Sequence, residues 1–514
     1  MRSKQSFLNM SITMIYFVIN NIFAFVSKSV FITYLGIEYS GLNSFLLNII
    51  GVLNIVELGI STSVGYALYK PLKEKNYDEI SEIMNLFKGL YKIIGLIVLL
   101  VGLIVSLFLD KLVKTDISTS SIRFYFILYL ISVLSSYFFT YTNVLPSADQ
   151  KNYIVVRTQG NIKIVKNIVE LIVIIVFQRY SVWLMIEIAG NALSYIGCNI
   201  KIKHAYSEID FSGRQYNLKN LLKKHLDIVA NIKNLFYHQI GSLAVNQTDN
   251  ILISKFCNLI MVGKYTNYIC ITNLLAGCVN QVFSSIAGSI GNLVAENGND
   301  SKSYNVWKSI YAVIYFGATI VAYLFYKLSY NFISLWVGES NTLSNRIVLF
   351  IAVNIFFRII RVPTEKFKNA YGIFYDKYAP IVEAFINLGF SVVMVFYYDV
   401  LGVVLGTVIS NVIIIYLWKP YITFKDGFHK RFFEYLKISF SLTVFSVISV
   451  SVLEYILNLL PVLTIGWIDW ILMALVHGII TFGVSLSIFL FNPIFRNSLR
   501  EIVLRIKVKN TDKK

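Results

Sequence analysis

Between Met10 and Phe491 the sequence is a succession of apolar stretches with short polar breaks, each stretch supplying the 20 or so residues that a helix needs to cross a hydrocarbon core. Lipid offers the backbone no hydrogen bonds, so each stretch must close its own as an α-helix. The expected spans are 10–35, 40–69, 86–109, 122–145, 153–177, 181–200, 228–256, 259–295, 307–336, 345–370, 378–398, 400–418, 434–457 and 467–491, about fourteen in all. A soluble globule is excluded by composition. Only 14% of residues are charged and mean hydropathy is +0.65, whereas soluble domains carry about 25% charged residues. The expected fold class is an all-α polytopic membrane protein.

Lys and Arg in the short breaks set the orientation. One set of breaks holds Arg2 and Lys4, Lys70 to Lys75, Lys151, the basic stretch Lys201 to Lys224, Lys302, Lys366 to Lys377, Lys419 to Lys437 and the tail from Arg496 to Lys514. The alternate set holds Lys111, Lys114, Arg179, Lys255, Lys264 and Arg346. Roughly twenty-eight against six places both termini in the cytoplasm. The net charge of +18 is spread over these breaks rather than gathered in one basic module, which argues against a nucleic-acid partner. The first apolar run is too long for a cleaved signal and is read as a retained helix. The four cysteines show no ligand spacing, so neither a disulfide framework nor a metal site is expected.

The chain repeats itself. YLGIEYSGLNSF at 34–45 matches the region around Gly263, with Gly41 falling on Gly263, and Asp78 falls on Asp300. Gln150 to Val156 resembles Tyr375 to Ile381, and Asn191 falls on Asn411. A steady offset of roughly 220 residues is the mark of a duplicated unit. Six helices per unit return the chain to the same side, so the halves are parallel repeats with a substrate path at their interface. The expected organisation is an N-lobe at 1–203, a basic cytoplasmic connector at 204–227, a C-lobe at 228–420, and two extra helices with a basic tail at 421–514.

Polar side chains at membrane depth are costly and face a bundle interior or an aqueous cavity. In the fifth span Gln159, Gly160, Lys163, Lys166, Asn167 and Glu170 fall within an arc of roughly 100°. Lys166 and Glu170, spaced i,i+4, can form a structural ion pair, whereas Lys163 has no evident local partner. The seventh span carries Asn231, Asn234, His238, Ser242 and Asp249, and the second carries Asn43, Asn54, Glu57, Ser61 and Gly65. Small and amide residues at such positions serve close helix packing, and a lone histidine such as His238 or His477 fits a packing role. Glu57 and Asp249 must be protonated, paired or wet, which makes them candidates for gating or for a coupling ion. Lys28, Lys233, Arg157 and Arg358 add cations, with Arg157 and Arg361 also placed to anchor at headgroups. This candidate cavity favours an anionic substrate over a cationic drug.

The segment SKSVFITYLGIEYSGLNSFLLNIIGVLNIVELGIS, the turn YKPLKEKNYDEI, and RVPTEKFKNAYGIFYDKYAPIVEAFINLGFS followed by VLGVVLGTVISN resemble bacterial Wzx-like polysaccharide repeat-unit flippases. These belong to the multidrug/oligosaccharidyl-lipid/polysaccharide exporter superfamily, and the likeness runs over about the first 430 residues. The resemblance implies two six-helix lobes around a central cavity in the bacterial plasma membrane. It also implies an undecaprenyl-diphosphate-linked glycan as substrate and other polysaccharide-assembly membrane proteins as partners. Two extra terminal helices are also a feature of the lipid II flippases of that superfamily.

On this reading Lys28, Lys163, Lys166, Lys233, Arg157 and Arg358 hold the lipid diphosphate. Glu57, Asp249, Glu170 and His238 serve coupling or gating, with H⁺ or Na⁺ as the candidate ion and no other cofactor. No catalytic residue is expected. A lipid II-type flippase and a multidrug cation antiporter on the same fold stay open, the latter requiring an acidic cavity. A glycan polymerase or ligase would need a sizeable outer loop, and a Walker A motif is missing. Reporter fusions after Lys224 and after Lys514 should read cytoplasmic and one at Ser340 external; reversal at any of the three would break the fourteen-helix topology.

Overall fold

The computed structural model describes residues 2–57, 59–212, 216–295, 300–373, 376, 378–459 and 466–501; side chains at 2–11, 56, 227, 233–246 and 284–285 lie outside that description. By contacts the chain forms two compact units, Met1–Gly263 and Lys264–Lys514. In the first, α1 (Arg2–Leu35) is followed by α2 (Ile37–Leu53), α3 (Ile60–Glu74), α4 (Tyr77–Ser106), α5 (Leu109–Leu112) and α6 (Thr119–Phe139). Then come α7 (Val144–Ala148), α8 (Tyr153–Phe177), α9 (Tyr180–Ala205), α10 (Leu218–Lys224) and α11 (Leu226–Phe256). The division falls inside α12 (Leu259–Ala295). The second unit continues with α13 (Asp300–Val337), α14 (Asn345–Ala370), α15 (Ala379–Ser410), α16 (Lys419–Ile422), α17 (Phe432–Asn458) and α18 (Trp467–Leu490).

Each of the fourteen expected spans is helical in the described residues. Among those residues, nine helices are long and apolar enough to cross a membrane on those grounds alone. The others fall short for reasons visible in the sequence. α8 and α11 carry too many charged and amide side chains, and α12 bends by 46° near residues 284–285. The second expected span, 40–69, is broken: α2 ends in a 3₁₀ turn at Asn54–Glu57, and Gly59 takes the left-handed φ of 84° before α3. The run Ala379–Gly427 holds two spans, divided where Asp399 adopts φ 50° and ψ −131°. Gly402 and Gly406 let the chain close tightly after this turn, since a Cβ on Gly402 would lie 2.2 Å from the Met394 carbonyl oxygen.

α11, expected to open the second lobe, packs on α2 and α3 in the first unit. The repeat-related glycines meet there. A Cβ on Gly41 would sit 1.9 Å from the Leu259 carbonyl oxygen, and one on Gly263 would sit 2.5 Å from that of Ile37. Residue 37 stands to 41 as 259 stands to 263, so the crossing of α2 and α12 is reciprocal.

The connector is strapped to α4. Asn85 donates to the Asp210 carbonyl at 2.6 Å, Lys88 to that of Phe211 at 2.7 Å, and Glu82 pairs with Lys224 at 2.6 Å. Two donors from Ser212 hold the Asp210 carboxyl below its usual range.

In the second unit α17 lies along α13 through rungs of hydroxyl groups. Tyr311 bonds Ser439 at 2.9 Å, Tyr315 bonds Thr443 at 2.6 Å and Thr319 bonds Ser446 at 2.8 Å. The four-residue step on α13 keeps these hydroxyls on one face. Ser449 to Ser485 at 2.8 Å then ties α18 to α17.

Two substitutions separate close packing from backbone strain. Gly41→Ala should cost at least about 2 kcal/mol, because the added Cβ meets backbone that cannot swing aside. Asp399→Gly should raise stability by about 1 kcal/mol, since its φ/ψ region belongs to glycine. Thermal unfolding of the purified protein tests both, and equal melting temperatures for all three proteins would contradict the close crossing.

Candidate functional site

α8 carries the polar stripe, and its members grade from open to enclosed. Arg157 and Lys163 are exposed, Gln159 is half-buried, and Lys166, Asn167 and Glu170 are buried. Helical spacing puts Lys163, Lys166, Asn167 and Glu170 on one face. Lys166, only 8% exposed, bonds Glu187 of α9 directly and lies 3.5 Å from Glu170. The second oxygen of Glu187 accepts from the Asn191 side chain at 2.9 Å. Gly190 clears the path, since a Cβ there would lie 2.3 Å from Lys166 Cγ. An ammonium taken out of water is tolerated only with such partners. Sequence spacing points to Glu170 alone as the partner of Lys166. Glu187 was missed, although a lone carboxylate inside an apolar span is itself a signal.

Two carboxylates share one ammonium, which calls for a further positive charge nearby or a proton held between the two acids. Lys28 of α1 stands beside Glu170 at a cavity of about 160 Å³. Asn43 of α2 and Trp183 of α9 also line it. Asn43 is held by two tyrosines, its Oδ1 accepting from Tyr129 and, at 3.2 Å, from Tyr180. Lys28, Lys166 and Glu170 are thus brought together, with Lys163 about one turn away along α8.

The remaining candidates lie elsewhere. Glu57 sits at the α2–α3 break and accepts from Tyr91, whose hydroxyl is 2.7 Å from Ser61. Neighbouring Asn54 accepts from Tyr137 at 2.9 Å. Asp249 is half-buried on α11. The side chains of Lys233 and His238 fall outside the described residues. In the second unit Arg358 donates to Asn273 at 2.9 Å.

That unit also holds a charge network that sequence reasoning missed. Glu365 accepts from Arg361 at 3.0 Å and from Lys419 at 2.7 Å, and Lys419 lies 3.7 Å from Glu383. Its members are spread over 59 positions of sequence from Arg361 to Lys419, too far apart for local spacing to reveal. A separate apolar cavity of about 640 Å³ is walled by α13, α14 and α17, with Tyr323 and Glu454 among its lining. Glu454 pairs with Lys327 at 2.7 Å. Among the described residues no group of His, Cys, Asp and Glu is placed to hold a metal ion.

No protein-family model matches the sequence, and no curated protein matches it. Solved structures do. The fold is similar to that of the lipid II flippase MurJ in an inward closed conformation, with TM-score 0.67, 14% identity, and coverage of 94% of this chain and 99% of that one. It is similar to a mutant of the Vibrio cholerae MATE transporter VcmN, with TM-score 0.55, 15% identity, and coverage of 83% and 98%. It is also similar to an inward-facing multidrug resistance MATE transporter of the MOP superfamily, with TM-score 0.60, 14% identity, and coverage of 78% and 93%. The chain therefore has the fold of these polytopic membrane transporters. Coverage of 94% takes in most of the terminal segment that carries α17 and α18.

If the Lys166–Glu187 contact holds α8 to α9, Lys166→Gln should destabilise the protein by about 3 to 5 kcal/mol, leaving two buried carboxylates facing each other. The exchange of Lys166→Glu with Glu187→Lys should recover part of that loss. Thermal stability and membrane abundance of the single and double variants measure it; an exchange no better than its worse single variant would remove the pair from the account.

Proposed function

We propose that this protein is a flippase that carries an undecaprenyl-diphosphate-linked oligosaccharide from the cytoplasmic to the outer leaflet of a bacterial plasma membrane by alternating access. The observation that carries the reading is the graded stripe on α8, which leads from exposed Arg157 and Lys163 to the cavity at Lys28 and Glu170. A diphosphate-sugar head cannot cross hydrocarbon, and exposed cations on an otherwise apolar helix give its phosphates charge-assisted hydrogen bonds. The lipid chain stays in an apolar phase, and the cavity walled by α13, α14 and α17 has that chemistry.

Exposure supports an order among the proposed contacts. Lys163 and Arg157 are exposed and are the first to meet phosphate, with Lys28 deeper. Lys166 is engaged by two carboxylates and positions the site. Arg358 and Lys233 are proposed for the second lobe. Glu57, placed at a broken helix, and Asp249 are proposed to couple the conformational change to H⁺ or Na⁺. A lipid II-type substrate is the second reading, favoured by the coverage of the MurJ fold. A cation antiporter is disfavoured by the exposed lysine and arginine on α8. The resemblance to transporters supports transport without catalysis.

Deletion of the gene should make a lipid-linked glycan accumulate on the cytoplasmic side, and its composition names the substrate. Lys163→Gln should impair export at matched protein abundance, each charge-assisted contact contributing about 1.5 to 3 kcal/mol, while Lys163→Arg should keep part of the activity. Full export by a Lys28, Lys163 and Arg157 triple Gln variant would reject the cationic path.

A further inference from the structure

We propose that the cavity between α1, α2, α8 and α9 is a binding subsite for a single sugar ring of the transported head; this rests on the flippase reading and adds the element that discriminates among glycans. Two buried polar atoms belong to residues that line the cavity. Ser27 Oγ has no hydrogen-bond partner, and Oε1 of Glu170, a residue 4% exposed, meets Lys166 at the long ion-pair distance of 3.5 Å. A buried hydroxyl left unmet is costly, and one beside a weakly met carboxylate oxygen points to an occupant that supplies hydrogen bonds.

The donor and acceptor pattern selects the occupant. With Asn43 Oδ1 occupied by Tyr129 and Tyr180, its amide N–H₂ is left as the donor. Glu170 accepts, and Ser27 can do either. Groups that alternate in this way suit hydroxyls, which both donate and accept. Phe31 and Trp183, with ring centroids 4.9 Å apart, give the apolar wall that the C–H face of a sugar requires. A hard cation such as Ca²⁺ or Mg²⁺ takes several oxygen ligands, and the ammonium of Lys28 on the same wall opposes it. The volume of about 160 Å³ is of the size of one sugar ring. Lys163, on the same face of α8 and nearer its N-terminus, then stands where the phosphates would follow.

The test uses the full chain in lipid nanodiscs and saturation-transfer NMR with the methyl glycosides of a neutral hexose, an N-acetylhexosamine and a hexuronic acid. At least one glycoside should receive saturation. Ser27→Ala should weaken it about tenfold, the worth of one hydrogen bond, with no loss of thermal stability, because the hydroxyl has no partner to lose. Ser44→Leu should fill the cavity and abolish the signal. Saturation of none of the three, binding unchanged in both variants, or stabilisation by NaCl in place of any glycoside would each overturn the subsite. Glycan accumulation in the deletion strain is scored separately. Accumulation without glycoside binding overturns the subsite and leaves the flippase standing; binding that the variants abolish, without accumulation, supports the sugar site and overturns the flippase reading.

Discussion

A charge buried in a lipid-embedded bundle must be answered by another, and Lys166 is answered twice. Its contact with Glu187 fixes α9 against α8, Gly190 exists to let the lysine stem pass, and Asn191 occupies the far oxygen of the same carboxylate. Glu170 meets the same ammonium at the longer distance of 3.5 Å and also lines the cavity. One ion pair therefore does two things: it joins two helices that have no hydrophobic reason to prefer each other in lipid, and it keeps an acidic group available beside Lys28.

The second unit meets the same demand with neutral groups. Hydroxyl pairs between α13 and α17 satisfy one another without a charge to desolvate, and they bring the terminal helices onto the body of the unit. Charge returns at Glu365, which takes two cations, and at Lys419, which reaches a second carboxylate. Such a network gains little over apolar packing once its charges are desolvated, yet losing one partner is strongly destabilising. The cationic contacts proposed for transport, Lys163 and Arg157, are exposed on α8 rather than enclosed in such a network.

The helices were legible in the sequence because lipid leaves the backbone no alternative, and even the split at Asp399 was anticipated by placing one span to Tyr398 and the next from Val400. The break at Asn54–Glu57 was not, since apolar residues flank it on both sides and Gly59 alone marks it. For the site, helical periodicity found the α8 stripe, which is a property of one helix. Periodicity is silent about pairs on different helices, so Glu187, Trp183 and the Glu365 network needed the fold. The i,i+4 spacing pointed Lys166 to Glu170, and the nearer partner came from the next helix.

The reciprocal meeting of Gly41 with Leu259 and of Gly263 with Ile37 has the form of an isologous contact, in which each partner presents the same patch to the other. Each glycine presses on backbone contributed by the other helix, so the crossing distance is set twice, once from each side. A side chain added at either position would push the same two helices apart, and restoring one glycine would not relieve the clash left at the other.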